Sequence, residues 1–383
     1  MREEEEGTMA DLQRILIVGG GIAGLTLARV LHQQGFTAEV VEHSPVWQAT
    51  GAAIQLHANG MRVLHALGLG DAVAQAGAIV RHWVYGDQAG AVLCALDLED
   101  LWGGGDPCIA IDRPRLQQIL VAGAAAAPCR LGTSVVFLLE EEQRVQVGFS
   151  DGSTGDYDLV VGADGISSTV RTLVLGPVQA GYTGLMLWRS LVPIQPPDPT
   201  NFSILFGEEC FFGITPLLAG PTNVFGAVGM PRVHDPVQGR LARLRKRFAD
   251  FGGPVQVCLA ALSRDEQIYC GPAEWVEVDH WHRGRVVLIG DAAHACAPTM
   301  AQGGCLALED AWVLAEELRS AETVEQALDS YETRRKPRVT WVQQHSRGIL
   351  ERYLLPPAER NPAFRARERQ AMHDSFEPLI AAP

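Results

Sequence analysis

Ile15-Leu16-Ile17-Val18-Gly19-Gly20-Gly21-Ile22-Ala23-Gly24 stands near the N-terminus, and Ala38-Glu39-Val40-Val41-Glu42 follows it. An apolar run, a G-x-G-x-x-G turn, a helix start and a second apolar run ending in an acid read as β-α-β over residues 14–42. Gly19 allows a tight turn, Gly21 lets backbone approach a pyrophosphate, and Gly24 lets the helix pack closely on the sheet. Ile22 and Ala23 open that helix, whose N-terminal amides and positive dipole end favour phosphate. Glu42, with His43 beside it, is placed to accept hydrogen bonds from a ribose, and an acid there disfavours a phosphate on the same ribose. The pattern fits NAD and FAD equally.

Two later runs repeat the strand-then-turn design. Leu159-Val160-Val161-Gly162-Ala163-Asp164-Gly165 delivers a carboxylate to the mouth of a sheet. Such a group needs donors, because burying it bare is costly. Cofactor hydroxyls or nearby amides supply them, and capping the following helix is the alternative use of Asp164. Arg285-Val286-Val287-Leu288-Ile289-Gly290-Asp291 is the second run, followed by Pro298 and then Gln302-Gly303-Gly304-Cys305 at a helix start. A glycine pair at a helix N-terminus aims free N–H groups and a positive dipole end at an electron-rich group. A reduced flavin is an anion, and its pyrimidine edge suits that position. Pro298 either leads into the helix or shapes the flavin face.

A length of 383 residues predicts two or three units. A net charge of −14 disfavours nucleic acid and anionic membrane surfaces as partners. No apolar run is long enough to span a membrane. The eight cysteines contain no C-x-x-C pair, which suggests reduced thiols, mostly buried, and a cytoplasmic setting without a secretory leader. Asp279-His280-Trp281-His282 holds the one tight histidine pair, and no metal is expected there. Residues 1–12 read as a disordered acidic tail. Residues 13–75, 106–178 and 275–350 read as one discontinuous nucleotide-binding domain. Residues 76–105 and 179–274, rich in mixed strands, read as an inserted substrate domain, and 351–383 as a C-terminal helical tail. Helices are predicted over Met61–Leu69, ending at Gly70, and over Arg115–Ala127, Arg240–Phe251, Leu306–Arg319 and Glu325–Arg347. A single strand is predicted over Tyr157–Gly162.

The series G-G-G-I-A-G, G-A-D-G and G-D-A-A-H…P-T-M-A-Q-G-G-C resembles the single-component FAD-dependent aromatic hydroxylases, the p-hydroxybenzoate hydroxylase superfamily. Gly51-Ala52-Ala53-Ile54 with Asn59-Gly60, Trp188-Arg189 and Gln302-Gly303-Gly304-Cys305 are most similar to its salicylate, urate and zeaxanthin-type branch. The resemblance implies an α/β fold: a Rossmann-like FAD-binding domain of the GR2 type, an inserted mixed β-sheet domain and C-terminal helices. It implies a bound FAD and a transient NADH or NADPH. It further implies a monooxygenase that passes one atom of O2, by way of a flavin hydroperoxide, to a small aromatic or other electron-rich substrate. Arg113, Asp164, Asp291, Gly303 and Gly304 match family positions that contact the cofactors, and Ala53, Pro298 and Gln302 belong to the same motifs. Ser190, Ala301, Cys305 and His57-Ala58 depart from the commonest family residues.

The flavin carries the hard chemistry, so a protein nucleophile is not required. A general base helps if a phenol must lose its proton, and His57, Tyr182, Arg189 and His234 are the candidates. Trp188, Phe202, Phe211 and Phe212, with Pro298, are candidates for the substrate pocket. A flavin oxidase or dehydrogenase, and a flavin-bearing redox module without turnover, are the competing readings. The protein is expected to be a monomer or homodimer.

Overall fold

The computed structural model describes residues 12–48, 52–218, 220–366 and 376–383. Gly51 of the branch motif, most of the acidic tail and residues 367–375 of the C-terminal tail lie outside them. The chain begins β1 (Ile15–Val18), α1 (Ile22–Gln33), β2 (Ala38–Glu42), β3 (Ala53–Leu56), α2 (Ala58–Ala66), α3 (Gly70–Ala76) and β4 (Ala78–Val80). Next come β5 (His82–Asp87), β6 (Val92–Asp97), α4 (Leu98–Leu101), β7 (Cys108–Asp112), α5 (Arg113–Gly123), β8 (Cys129–Leu131), β9 (Val135–Glu140), β10 (Val145–Phe149) and β11 (Thr154–Tyr157). The middle holds β12 (Leu159–Gly162), α6 (Thr169–Leu175), β13 (Gly181–Val192), β14 (Asn201–Phe206), β15 (Cys210–Thr215), β16 (Thr222–Gly229), α7 (Arg240–Arg247) and α8 (Gly253–Ala261). The chain then adds β17 (Tyr269–Trp275), β18 (His282–Arg283), β19 (Val286–Leu288), α9 (Asp291–His294), α10 (Gly303–Ser320), α11 (Val324–Tyr353) and α12 (Pro357–Arg365).

A six-stranded sheet runs in the order β18-β19-β12-β1-β2-β8, parallel except at β18. Its central strands are buried on both faces, which is why Ile15–Val18 and Leu159–Gly162 carry uninterrupted apolar residues. A seven-stranded mixed sheet runs β17-β13-β16-β15-β14-β5-β6, drawing on residues 82–97 and 181–275. One of its faces, with Leu185, Leu187, Phe202, Ile204 and Phe206, joins the core of the six-stranded sheet. The other, with Met186, Trp188, Leu205 and Phe212, forms a separate core with Leu241, Leu244 and Phe248 of the α7 segment and Val255 and Leu259 of α8.

Several boundaries differ from those predicted. The helix expected to end at Gly70 stops at Ala66, because Gly68 takes a left-handed φ of +71°, and Gly70 instead starts α3. The strand predicted over Tyr157–Gly162 is two strands. Asp158 interrupts it, its Oδ2 accepting the N–H groups of Gln13 (2.9 Å) and Arg14 (2.7 Å), and Tyr157 belongs to a hairpin sheet. The helix starting at Arg240 ends at Arg247, freeing Phe248 and Phe251 to turn into the second core. α11 continues through Pro337 as far as Tyr353. All eight cysteines are free, but only Cys108, Cys258 and Cys305 are fully buried, fewer than expected.

Candidate functional site

Val18 pairs with Gly162 and Val41, and Gly162 with Leu288, in parallel register. Parallel neighbours end on the same side, so the turns after β1, β12 and β19 and the acid ending β2 meet at one crest. Gly19 has a φ of +110°, and a Cβ on it would collide with the Ala163 backbone, so the first motif rests directly on the second. A Cβ on Gly24 would collide with the Gly19 carbonyl, which is the close strand–helix packing its position requires. A Cβ on Gly21 would meet nothing within 4 Å. The N-termini of α1 and α10, at Gly21 and Gln302, have no side-chain cap. Open space over Gly21 and two helix ends with their amides free fit a phosphate-bearing flavin nucleotide.

Glu42 Oε2 accepts the Gly20 N–H and Oε1 the Ser44 N–H, both at 2.8 Å, which holds the carboxylate at the crest. His43 is exposed and lies 2.8 Å from Glu42 Oε1. Asp164 caps the start of α6: Oδ2 accepts the N–H groups of Thr169 (2.7 Å) and Val170 (3.1 Å), and Oδ1 the Ser168 hydroxyl. Of its two expected uses, helix capping is the one formed by the protein's own groups. Arg171, buried, ties the loops together by donating to the Ala292 carbonyl (2.8 Å) and the Ile166 carbonyl (2.6 Å).

Asp291 is exposed at the head of α9, on the side where a Cβ added to Gly303 would lie 3.8 Å from its Oδ1. Arg113 follows β7, which pairs with β3 through Asp112 and Ala53, and its backbone N–H donates to the Ala52 carbonyl at 3.2 Å. Burial lowers the Arg113 pKa, and the charge of Asp291 opposes that shift. Gly304 packs against Ile54 and Ile22, so a side chain there would be excluded even without a ligand. Pro298 is exposed in a short turn that ends at Ala301, whose φ of +52° is left-handed. That conformation favours glycine, so Ala301 holds a backbone geometry that side chains rarely adopt. Burial raises the Cys296 and Cys305 thiols to about 12, so neither supplies a thiolate at neutral pH.

Gln302 departs from its expected role. Its side chain is fully buried and Oε1 accepts from Asn59 Nδ2 at 2.9 Å, which leaves only its backbone at the helix mouth. Asn59 also donates to Glu309, which pairs with Arg335 and Arg338. Asp310 binds Arg335 through Oδ1 and, through Oδ2, accepts the Gly290 N–H (2.8 Å) and faces His294 Nε2 (2.6 Å). This buried ionic network grips the Gly290-Asp291 turn from below. Glu309, Asp310, Arg335 and Arg171 were not among the residues expected at the site. Charges inside an otherwise apolar helix were the available signal.

The pocket candidates separate by strand alternation. Phe202 and Phe211 face the flavin-domain core, where Phe202 meets Trp83 (5.6 Å) and Phe225 (6.3 Å between centroids). Trp188 and Phe212 lie on the opposite face: Trp188 Nε1 donates to Asp235, and Phe212 packs on Phe248. Neither reaches the crest. Tyr182 donates its hydroxyl to the Met230 carbonyl at 2.7 Å and packs on the second core, and His234 is exposed beside Asp235 of that same face. Both are therefore removed as bases. His57 is fully buried among Trp83, Trp102 and Phe376, neither ring nitrogen has a partner among the described residues, and burial lowers its pKa to about 3. An imidazole that weakly basic is a poor proton acceptor near neutral pH. His57→Leu stays close to the volume of the imidazole and removes two unpaired polar atoms, so it should raise unfolding stability by about 1 kcal/mol in urea titration. A loss of that size would show that the ring nitrogens are satisfied.

Among the described residues no group of three or more His, Cys, Asp and Glu is placed to hold a metal, and no helix is long and apolar enough to cross a membrane. The sequence matches the FAD binding domain family over residues 13–219 and 271–346. It is 34% identical over 353 residues to 3-amino-4-hydroxybenzoate 2-monooxygenase of Streptomyces cremeus, covering 90% of this chain and 88% of that one. It is 32% identical over 335 residues to an FAD-dependent urate hydroxylase of Klebsiella pneumoniae, covering 85% and 86%. The crystal structure of Klebsiella pneumoniae HpxO complexed with FAD and uric acid superposes with a TM-score of 0.89 at 28% identity, over 97% of each chain. The chain belongs to the FAD binding domain family and is an FAD-dependent, hydroxylating monooxygenase.

Proposed function

We propose that this enzyme uses NADH or NADPH to hydroxylate a small electron-rich aromatic molecule held between the crest and the flavin-facing side of the seven-stranded sheet. The observation that carries this is the meeting at one crest of four separate sequence segments with two uncapped helix N-termini. In this reading Gly19, Gly21, Ile22, Ala23 and Gly24 present backbone to the pyrophosphate, and Glu42, flanked by His43, accepts from the adenosine ribose. Asp164 acts at the crest through the loop it caps. Arg113 and Asp291 flank the ribityl and phosphate region. The Gly303 and Gly304 amides meet the pyrimidine edge, with Ala53, Pro298 and the Gln302 backbone shaping the same side. Bound FAD supplies the redox chemistry and the activation of O2. Phe202 and Phe225, backed by Trp83, form an apolar wall that excludes water from the reacting ring. The seven-stranded sheet is then the substrate domain, and the motif-bearing remainder up to about residue 350 the FAD-binding domain.

The relatives' names make 3-amino-4-hydroxybenzoate and urate the first compounds to try. Turnover under 18O2 is expected to place one labelled atom in the product for each NAD(P)H consumed. Stoichiometric peroxide with no label in the product would identify an oxidase instead. A yellow protein with negligible NAD(P)H consumption across an aromatic series would identify a redox module.

A further inference from the structure

Alternation along β13 turns Arg189 away from its neighbours. Trp188 and Ser190 face the second core, where the Ser190 hydroxyl donates to the Gln267 carbonyl. Arg189 shares the flavin-facing side with Leu185 and Leu187, and its cross-strand neighbours are Phe225 on β16 and Tyr269 on β17. Phe225 touches Phe202, so the guanidinium borders the aromatic wall of the proposed pocket.

Arg189 is half-buried, and among the described residues its guanidinium has no hydrogen bond and no ion pair. The other buried arginines are all held. Arg335 and Arg240 meet carboxylates, and Arg171 and Arg360 donate to backbone carbonyls. After burial, the strongest influence on Arg189 is the like charge of Arg113. Arg113 has Asp291 as its counter-charge. A guanidinium stays protonated under all ordinary conditions, so it cannot escape the cost of burial by losing its proton. A cation drawn out of water beside a second cation needs an anion.

We infer that Arg189 anchors an anionic group on the aromatic substrate, so that the enzyme selects ionised aromatic acids over their neutral counterparts. The inference rests on the proposed placement of the substrate. A carboxylate matches the fork of the guanidinium through two parallel hydrogen bonds, which also fixes the orientation of the ring.

The test is equilibrium binding to the FAD-loaded enzyme, read from the flavin absorbance change, with 3-amino-4-hydroxybenzoate and its amide. Wild type should bind the acid at least about tenfold more tightly than the amide. Arg189→Gln should weaken the acid by about 100-fold and the amide by less than about threefold, and Arg189→Lys should recover part of the loss. The flavin midpoint potential should be the same in all three proteins. Equal weakening of both ligands, no preference in wild type, or binding of neither would overturn the inference. A changed midpoint potential would also overturn it, by showing that Arg189 serves the flavin. Preferential binding of the acid without stimulated NAD(P)H oxidation would instead overturn the proposed hydroxylation of such acids and leave the role of Arg189 standing.

Discussion

Arg335→Met is expected to lose about 3–5 kcal/mol of unfolding free energy, because it strips one cation from two fully buried carboxylates. Glu309 retains Arg338, but Asp310 is left with His294 and one backbone amide. The loss should be visible in urea titration, and FAD should be retained more weakly, since Asp310 also holds the Gly290 N–H. Acid should show the same network. Burial alone would raise the Asp310 pKa, but His294 and then Arg335 outweigh burial and hold it at about 2. A depressed carboxylate pKa stabilises the fold above the unfolded value of about 3.9 and loses that contribution as pH falls toward the folded value. Wild type should therefore lose this increment only between about pH 4 and pH 2, and Arg335→Met should begin to acid-unfold at higher pH. Unchanged urea and acid midpoints would show that the network is dispensable.

Gly21→Leu is expected to give a folded, colourless protein. Gly21 has an ordinary φ of −84° and open space where its Cβ would go, so the larger side chain meets no protein atom. In the proposed reading it would stand where the backbone approaches the pyrophosphate. Losing several charge-assisted hydrogen bonds of about 1.5–3 kcal/mol each should weaken FAD binding by at least about 100-fold. Circular dichroism and the urea midpoint should stay close to wild type. Yellow protein with undiminished FAD affinity would place the phosphates elsewhere. Gly19 offers no such separation, because its φ of +110° and its contact with Ala163 make it part of the fold itself.

The crest was legible in sequence because local chemistry specifies it. Apolar runs buried on both faces, glycines at the turns and an acid at the end of the next strand each leave a mark within a few residues. The base and pocket candidates were not legible. Residue type alone places Trp188 and Phe212 beside Phe202 and Phe211, but side chains alternate between the two faces of a strand, and only register against β16 and β17 shows which face joins the core of the six-stranded sheet. Tyr182 lies on β13 and was hidden for the same reason, whereas His234 lies in the loop between β16 and α7, which only the fold sets beside Asp235. Gln302 was recognised as part of a helix-start motif, yet its side chain was claimed by Asn59, distant in sequence.

From its order of residues alone, this chain determined that successive parallel strands end in glycine-rich turns and acids that meet at one crest, because each turn's chemistry is written within a few consecutive positions. Which cations stay unpaired, which acids become buried partners and which aromatic rings face the reacting centre were decided by the tertiary structure. Those properties depend on what other segments bring into contact, and burial converts a missing or present partner into several kcal/mol.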